Sequence, residues 1–380
     1  MAQFLGTLNH NEIFAALYNM LISQQIISDN IADTASELVN MARVDGSMYG
    51  DTKLFYATEI LGSDEWGNDA EAMNLLALHR PCPPDVQEIV LDQFRQISLT
   101  IDNYLTKRAF STEGTFADFN SVMTGWIGET KRVYEAKLFN TFIGTNKAAG
   151  TKQNITIALP TNDDAEKEAR LQAQTIAREL ADLYVELADA NRDYNDLGNY
   201  RSFRKSDMVV VWNSEYVNKI TKMDLPTVFH KEGLMDEFKH SLPGKYFGTV
   251  KTTRGTIPSG SANLTIRSLV ERDYNTVAPS DVNYVKSLHI FPGDLIPAGA
   301  TFEKKGVTMS YDAYEAYEED STVICKIYHK KAVPFMSALE VGTSFFNAKS
   351  LTENRYLTWG YNTLENLDNY PFITVSAAKA

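Results

Sequence analysis

The chain has 380 residues, of which 44% are hydrophobic and 22% are charged, and its formal net charge is −13. It is long enough to bury a sizeable core in roughly two or three domains, and its two cysteines are too few for a disulfide framework, so a reducing compartment is expected. The acidic balance argues against a dedicated nucleic-acid binder, which concentrates lysine and arginine to displace phosphate counterions, although it is compatible with a protein that only encloses nucleic acid.

The N-terminal segment, residues 9–45, reads as two short helices. The second helix begins with Thr34, Ala35, Ser36 and Glu37, a capping-box pattern in which side chains satisfy unpaired backbone donors. No charged n-region precedes an apolar core, and no apolar run reaches the ~18 residues of a membrane span. We therefore predict neither a signal peptide nor a membrane-spanning segment.

A long polar excursion follows at residues 47–102. Its return arm, residues 94–101, ends in alternating apolar and polar residues, which is the pattern of a half-buried strand. The outgoing arm, residues 53–60, is rich in aromatic residues but alternates poorly. We interpret the two arms as an extended hairpin whose polar middle, around Trp66, has little to pack against within one chain. The excursion is therefore predicted to pack against another copy of the same chain.

One long amphipathic helix is predicted at residues 115–146. Apolar residues recur there at steps of three and four, which places them on one face. They are Phe116, Phe119, Val122, Met123, Trp126, Ile127, Val133, Tyr134, Leu138 and Phe142. Gly125 and Gly128 lie inside the pattern, and each lowers helix stability by about 1 kcal/mol relative to alanine. The glycine pair indicates either a bend or a close neighbour at this point.

The remainder of the chain reads as a mixed α/β region followed by strands. An apolar run at residues 208–212 predicts a central strand covered on both faces, and a helix is expected to start near Asn213. Residues 224–310 are rich in glycine and proline and predict irregular strands and loops. Further predicted elements are a helix at 163–190 with acidic residues in its first turn, and strands at 154–159, 322–328, 356–359 and 372–375.

The sequence carries no nucleotide-binding glycine loop, no HExxH and no CxxC pair. The strongest catalytic candidate is Cys325 with His329, which lie four residues apart on a predicted strand and could act as a thiol nucleophile and its base. We favour the alternative, a buried cysteine with a histidine near the end of its strand. We therefore predict no catalytic residue and no cofactor-binding residue.

Three further groups of charged or ligating residues have simpler explanations. His79 and Cys82 form one pair of conceivable metal ligands, and a single pair without a second is more often part of a loop. A run of acidic residues is interpreted as a solvated turn, and its members are Glu315, Glu318, Glu319 and Asp320. A basic spot at Lys330 and Lys331, with Lys326, could touch a phosphate backbone, although a solvated or subunit-facing patch is favoured. No metal site is predicted.

The order of these elements resembles that of the HK97-fold major capsid proteins of tailed bacteriophages. That order is an N-terminal arm, a long hairpin excursion, a spine-like helix, a mixed α/β domain and a final return of strands. Four short segments of the sequence look like segments of phage head proteins. They are residues 92–98, 102–108, 344–347 and 356–360. The resemblance covers nearly the whole chain. It depends on the order of the elements and on the general character of the sequence, because the fold has no short diagnostic motif.

The resemblance implies an α+β, HK97-like capsid fold with five regions. They are an N-terminal arm (1–46), an extended E-loop hairpin (47–102), a P-domain segment with the long spine helix (103–164), a mixed α/β A-domain (165–320) and the P-domain return strands (321–380). Only a short arm precedes the E-loop, which implies a separate scaffolding protein and no maturation cleavage.

The implied function is that of a structural subunit of an icosahedral or prolate viral shell, which self-assembles into hexamers and pentamers and encloses double-stranded DNA without sequence-specific contact. The implied partners are the chain itself, a separate scaffolding protein and a portal, with no membrane. The implied location is the virion, after assembly in the host cytoplasm. The expected assembly contacts are Trp66, Arg80, Lys107, Arg108, Gly125 and Gly128.

Two other classes of function stay open at this point. An encapsulin-like nanocompartment shares the fold but holds enzyme cargo, and co-purification of a cargo enzyme would distinguish it. A stand-alone enzyme using Cys325 and His329 would form small discrete oligomers, which electron microscopy would distinguish from shells. We favour the viral shell and expect no enzymatic activity.

Overall fold

The structure is a computed structural model of the chain. It describes residues 36–46, 50–63, 78, 80–102, 113–221, 240–252, 264–269, 274–275, 293–296, 302–304, 307–309 and 314–378. Within the long helix that starts at Glu113, side chains are described from Val122 onward, except those of residues 123 and 124. The first predicted helix, near residue 13, lies outside the described residues.

The described residues form a mixed fold of helices and strands. The helices are α1 (Ser36–Ala42), α2 (Glu113–Thr145), α3 (Ala165–Ala188) and α4 (Ser214–Thr221). The strands of the first half are β1 (Arg43–Asp45), β2 (Thr52–Ala57), β3 (Asp85–Val90), β4 (Gln93–Asp102), β5 (Asn154–Ile157), β6 (Met208–Asn213), β7 (His240–Leu242) and β8 (Gly248–Thr252). Those that follow are β9 (Leu264–Leu269), β10 (Tyr274–Asn275), β11 (Leu295–Ile296), β12 (Phe302–Lys304), β13 (Val307–Met309), β14 (Tyr314–Glu319), β15 (Val323–His329), β16 (Phe335–Asn347), β17 (Thr352–Tyr361) and β18 (Phe372–Ala377).

A five-stranded sheet with the order β5-β18-β15-β6-β7 lies at the centre of the fold. Every residue of β6 is buried. Val209 and Val211 join a core that includes the buried face of α2, whereas Val210 and Trp212 join a second core with α3. Because successive side chains of a strand point to opposite faces, a sheet covered on both sides requires an uninterrupted apolar strand. The prediction made for residues 208–212 is confirmed.

Helix α3 covers the second face of the central sheet. Its buried residues recur at the spacing of a helix face, and they are Ala173, Ile176, Leu180, Leu183 and Leu187. Each large apolar side chain stabilises the fold by about 1.5–3 kcal/mol when fully buried. The helix begins after Asp164, whose carboxylate accepts a hydrogen bond from the backbone nitrogen of Glu166. The acidic first turn predicted from the sequence therefore includes the residue that caps the helix.

Helix α2 is a single helix of 33 residues, in agreement with the helix predicted at 115–146. Its described core face includes Ile127, Tyr134, Leu138 and Phe142, which were predicted, and it also contains Phe139 and Ile143, which are fully buried. Trp126 was assigned to the same face, but its side chain is 44% exposed. Residues 126 and 127 point about 100° apart on the helix, and at this level of α2 the described chain covers only the side of Ile127, unlike the broader face buried near Phe139 and Ile143.

The C-terminal end of α2 is held against the rest of the fold by two close approaches. A Cβ atom placed on Gly144 would lie 2.1 Å from the carbonyl oxygen of Tyr246, so only a glycine allows this packing. Beyond the helix, the Nζ atom of Lys326 donates hydrogen bonds to the carbonyl oxygen of Asn146 at 2.7 Å and to Oγ1 of Thr374 at 2.9 Å. Lys326 is fully buried, so it is not part of a surface basic spot as the sequence predicted.

The excursion contains a hairpin, as predicted, but its return arm is β3 and not the arm predicted at residues 94–101. Strand β2 pairs with β3 in a separate two-stranded sheet, whereas β4 pairs along all ten of its residues with β17. The reason lies in the buried face of β4, where Ile97 and Ile101 are buried. A ten-residue strand with one core face needs a partner of matching length and register, which β17 offers and the six-residue β2 does not.

Strands β16 and β17 form a long antiparallel hairpin that continues beyond the core. The complete sheet has the order β1-β16-β17-β4, with β1 parallel to the start of β16. Leu351, in the turn before β17, has φ of 54°, a left-handed conformation that is uncommon outside glycine. The strands predicted at 322–328, 356–359 and 372–375 correspond to β15, β17 and β18.

Short strands between β7 and β15 form two smaller sheets, with the orders β11-β9-β14-β8 and β10-β12-β13. This agrees with the irregular strands predicted for residues 224–310. The first of these sheets is tied to α2 by an ion pair of 2.9 Å between Lys137 Nζ and Asp294 Oδ1. Glu315, Glu318 and Glu319 lie in β14 and not in a solvated turn, because β14 is paired on both edges by β8 and β9.

Candidate assembly surfaces

The two-stranded sheet of β2 and β3, called the ribbon below, exposes an apolar outer face. Leu54 and Tyr56 on β2 are 49% and 64% exposed, and Val86 and Val90 on β3 are also exposed. The register places Tyr56 opposite Val86, so these side chains lie on one face. Glu88 and Thr52 lie on the same face, opposite Leu54 and Val90. Exposed apolar side chains grouped in this way mark a site of protein contact more often than scattered ones do.

The inner face of the ribbon faces the body of the protein. Ile89 and Ala57 are buried, and Phe55 is half-buried. A small cavity of about 140 Å³ lies between the ribbon and the loop that precedes β18, lined among others by Phe55, Leu367 and Tyr370. The ribbon is therefore docked on one face and exposed on the other.

The end of the β16–β17 hairpin carries a second group of exposed apolar side chains. Phe345 and Phe346 are 64% and 58% exposed, and Val341 and Leu351 are also exposed. Phe345 contacts Tyr356 edge to face, with ring centroids 6.3 Å apart. These residues were not predicted to form a surface, although two adjacent phenylalanines beside the polar turn at 347–350 are a signal for one.

A groove of about 360 Å³ separates this hairpin from the N-terminal half of α2. Ile127 and Gly128 line it on the helix side, and Gly342, Ser344 and Leu357 line it on the sheet side. A Cβ atom placed on Gly125 or on Gly128 would meet no atom of the described chain within 4 Å. Neither glycine therefore has a close neighbour within the described part of this chain, and a bend and a close neighbour in another copy both stay predictions.

A cluster of charged side chains joins β1, α2 and β16 beside this groove. Lys131 Nζ lies 2.6 Å from Glu340 Oε2, and Arg43 Nη2 lies 3.3 Å from Glu135 Oε2. Glu135 is buried, and its Oε1 atom has no hydrogen-bond donor among the described residues but lies 3.9 Å from Lys131 Nζ. Burial raises the pKa of the Glu135 carboxyl, and the neighbouring cations Lys131 and Arg43 oppose this effect.

Of the predicted assembly contacts, Trp66, Lys107 and Arg108 lie outside the described residues. Arg80 is exposed and lies in the segment that leads into β3. Gly125 and Gly128 lie on the exposed side of α2 as described above. The structure therefore brings Gly128 next to the β16–β17 hairpin, and it does not bring Arg80 together with the glycine pair.

Cys325 and His329 do not form a catalytic pair. Both are on β15, so four residues separate their backbones by about 13 Å. The Cys325 side chain is completely buried in the core under α3. The His329 ring stacks on Tyr370 with centroids 4.6 Å apart, and its Nδ1 atom accepts a hydrogen bond from the backbone nitrogen of Lys331. Burial lowers the pKa of His329.

The structure describes only some of the other candidate metal ligands and basic residues. His79 lies outside the described residues, and Cys82 is exposed. Among the residues that the structure describes, no group of three or more histidine, cysteine and acidic side chains is arranged to hold a metal ion. Lys330 donates a hydrogen bond from Nζ to the carbonyl oxygen of Ser206 at 2.7 Å.

Within the same described ranges, no helix has the length and apolar character needed to cross a bilayer.

The fold is similar to solved capsid structures at low sequence identity. One is the capsid structure of Staphylococcus phage Andhra, with 11% identity, a TM-score of 0.58, and coverage of 89% of this chain and 83% of that chain. Another is a chain in the structure of the head fiber and inner core protein gp22 of native bacteriophage P68, with 10% identity, a TM-score of 0.56, and coverage of 99% and 89%. At these identities the likeness shows the fold alone. No curated protein was found to match the sequence.

The sequence itself matches the family model of Phi29-like phage major capsid proteins over residues 7–364. The matched range includes the ribbon, α2, the β16–β17 hairpin and every strand of the central sheet except β18. The resemblance to HK97-fold head proteins is therefore confirmed at the level of family and fold. Because the match spans nearly the whole chain, the protein belongs to the Phi29-like phage major capsid proteins and is a structural subunit of a phage virion.

Proposed function

We propose that this subunit assembles into hexamers and pentamers that build an icosahedral or prolate shell, and that the shell encloses double-stranded DNA without sequence-specific contact. A closed shell multiplies many modest contacts between copies, so each contact can be weak. The net charge of −13 supports a lining that does not grip phosphate groups tightly. The match to a phage family favours this function over an encapsulin-like compartment with enzyme cargo.

The observation that carries the proposal is the exposed outer face of the ribbon. Leu54, Tyr56, Val86 and Val90 form an apolar surface that faces away from the body of the same chain. We assign residues 47–102 to an E-loop that lies across a neighbouring copy, and we keep Trp66 and Arg80 as contacts within it. Burying this face against a second copy would remove apolar area from water, which favours association.

The other regions follow the same scheme. Residues 1–46 are assigned to an N-terminal arm, and residues 103–164 to a P-domain segment that contains the spine helix α2 and the contacts Lys107 and Arg108. Residues 165–320 are assigned to an A-domain, and residues 321–380 to the strands that return to the P-domain. The open space beside Gly125 and Gly128 supports bending of α2 there, because glycine lowers the cost of local distortion.

The proposed partners are the chain itself, a separate scaffolding protein and a portal, with assembly in the host cytoplasm. We propose no enzymatic activity. The burial of Cys325 and the stacking of His329 on Tyr370 support structural roles for both residues.

The experiment that tests the proposal replaces residues 62–84 with a short glycine and serine linker. The strands β2 and β3 and the body of the protein remain, so the chain is expected to stay folded but to form no shells. A second variant carries a glycine and serine linker of the same length as the replaced segment, which separates the loss of contacts from the loss of chain length. Normal shells from both variants would contradict the assignment of the E-loop.

A further inference from the structure

The outgoing strand of the ribbon is attached to the body through Glu59, which lies two residues after β2. Oε1 of Glu59 accepts a hydrogen bond from the backbone nitrogen of Tyr200 at 3.2 Å, and Oε2 lies 3.4 Å from Arg192 Nη1. Arg192 is itself held in place, because Nη1 also donates to the carbonyl oxygen of Gly198 and its guanidinium lies over the Tyr200 ring at 4.3 Å. One carboxylate therefore connects the ribbon to the loop between α3 and β6.

The return strand is attached at Gln87, on the inner face of the ribbon. Its Nε2 atom donates to the carbonyl oxygen of Asn366 at 2.9 Å, and its Oε1 atom accepts from the backbone nitrogen of Asp368 at 2.9 Å. A single amide thus uses both its donor and its acceptor on one loop, the loop that precedes β18. This arrangement fixes the distance and the rotation of the strand relative to that loop.

Arg201 links the two attachments to each other. Its Nη2 atom donates to the carbonyl oxygen of Thr58, at the end of β2, and its Nε atom donates to Oδ1 of Asn369 at 2.9 Å. Nearby, Nδ2 of Asn199 donates to Oδ2 of Asp85 at 3.3 Å, at the start of β3. Both strands of the ribbon are therefore bound to the body at the same end of the ribbon.

We propose that Glu59 and Gln87 are positioning residues for shell assembly, which hold the ribbon at one angle so that its outer face meets a neighbouring copy. This inference rests on the proposed contact role of the ribbon. A two-stranded sheet is only marginally stable by itself, so the position of the ribbon depends on its contacts with the body. Fixing its angle before association removes an ordering cost that the contact between copies would otherwise have to overcome.

The Glu59 attachment is a polar contact at the surface of the protein, with the Glu59 side chain 22% exposed and that of Arg192 53% exposed, whereas the two hydrogen bonds of Gln87 are partly buried. Surface ion pairs contribute little to global stability because water competes for both partners. Loss of Glu59 is therefore expected to change the angle of the ribbon and the assembly of shells, but not the unfolding of the chain, whereas loss of Gln87 should also lower stability because it leaves two backbone groups without a partner. A purely structural role of Glu59 would show the opposite pattern.

The test measures the angle of the ribbon through two spin labels on the full chain. Cys82 is exposed and lies just before β3, whereas Cys325 is completely buried and does not label in the folded protein. The second label is placed on α3 by Val185→Cys, at a side chain that is 71% exposed. The distance distribution between the labels is compared in the parent, in Glu59→Ala, in Gln87→Ala and in the double variant. Glu179→Ala, which breaks an exposed ion pair with Arg178 on α3, is the control.

We expect a broader distance distribution and a several-fold higher protein concentration for assembly in Glu59→Ala and Gln87→Ala, with an unchanged unfolding midpoint in Glu59→Ala. Glu59→Gln keeps the acceptor for Tyr200 and should restore part of both effects. An unchanged distribution in the double variant would overturn the positioning role, and so would a broadened distribution with normal assembly. Tyr56→Asp leaves both attachments intact and therefore tests the contact role of the ribbon separately. Normal assembly of that variant would contradict the proposed function, but it would not change the conclusion from the distance distributions about the angle of the ribbon.

Discussion

The Nζ atom of Lys326 lies 2.7 Å from the carbonyl oxygen of Asn146, the residue that follows α2, and donates a hydrogen bond to it. A cation at this position is favourable, because the carbonyl groups at the C-terminal end of a helix carry partial negative charge. Lys326 is on β15 and also donates to Thr374 on β18. One buried side chain therefore joins the long helix to two strands of the central sheet.

Lys326→Met is expected to lower the free energy of unfolding by about 1–3 kcal/mol, because the carbonyl oxygen of Asn146 and the hydroxyl of Thr374 lose a buried donor. The matched control is Lys330→Met, an exposed lysine with one hydrogen bond to a carbonyl oxygen, which should change stability by less than about 0.5 kcal/mol. Urea unfolding of the unassembled chain measures the change in the free energy of unfolding for both variants. Equal effects of the two substitutions would contradict this role of Lys326.

Two glycines of α2 should respond in opposite directions to alanine. At Gly144 the added Cβ would lie 2.1 Å from the carbonyl oxygen of Tyr246, so Gly144→Ala should destabilise the chain by about 1–3 kcal/mol. At Gly125 the added Cβ meets nothing within 4 Å in the described chain, so Gly125→Ala should stabilise it by about 1 kcal/mol. Thermal unfolding of the two variants compares them directly, and a shift of the same sign in both would refute the packing at Gly144.

The stability contributed by Glu135 should depend on pH. Because burial raises its pKa, folding favours the protonated acid, and this stabilisation is fully present below the ordinary pKa of 4.5 and is lost as pH rises through the folded-state value. Glu135→Gln removes the titration. The stability of this variant relative to the parent should therefore increase from pH 4.5 to pH 7. Glu129→Gln, at a partly exposed site on the same helix, controls for the change in total charge, and an identical pH trend in both variants would contradict the prediction.

The two cysteines should differ in reactivity toward a thiol reagent. Cys82 is exposed and should react in the native protein, whereas Cys325 is fully buried in the core under α3 and should react only after unfolding. A native chain should thus show one reactive thiol, and Cys82→Ser should show none. Rapid reaction of Cys325 in native Cys82→Ser, abolished by His329→Gln, would instead support a thiol nucleophile and its base.

Local patterns in the sequence were sufficient to predict the elements whose burial is uniform along their length. The apolar run at 208–212 predicted a strand covered on both faces, and the three- and four-residue steps predicted α2 within two residues at each end. Such patterns report which face of an element is buried. They do not report which other element covers it, and this is why the pairing of β2 was predicted incorrectly.

The misassigned residues were those whose environment depends on distant parts of the chain. Lys326 looked like part of a basic surface next to Lys330, but its strand lies between two others and its amine reaches the end of α2. The attachments at Glu59 and Gln87 join residues more than a hundred positions apart, and no local pattern marks them. Long-range polar contacts of this kind are visible only once the topology is known.

Shell formation is measured by electron microscopy, with mass determination, of the particles that this chain forms when it is produced together with the other head proteins of its phage. We expect closed shells of uniform size from the parent chain, and only small oligomers from Tyr56→Asp, which places a charge on the exposed face of the ribbon. Small discrete oligomers from the parent chain itself, or normal shells from Tyr56→Asp, would contradict the proposed assembly.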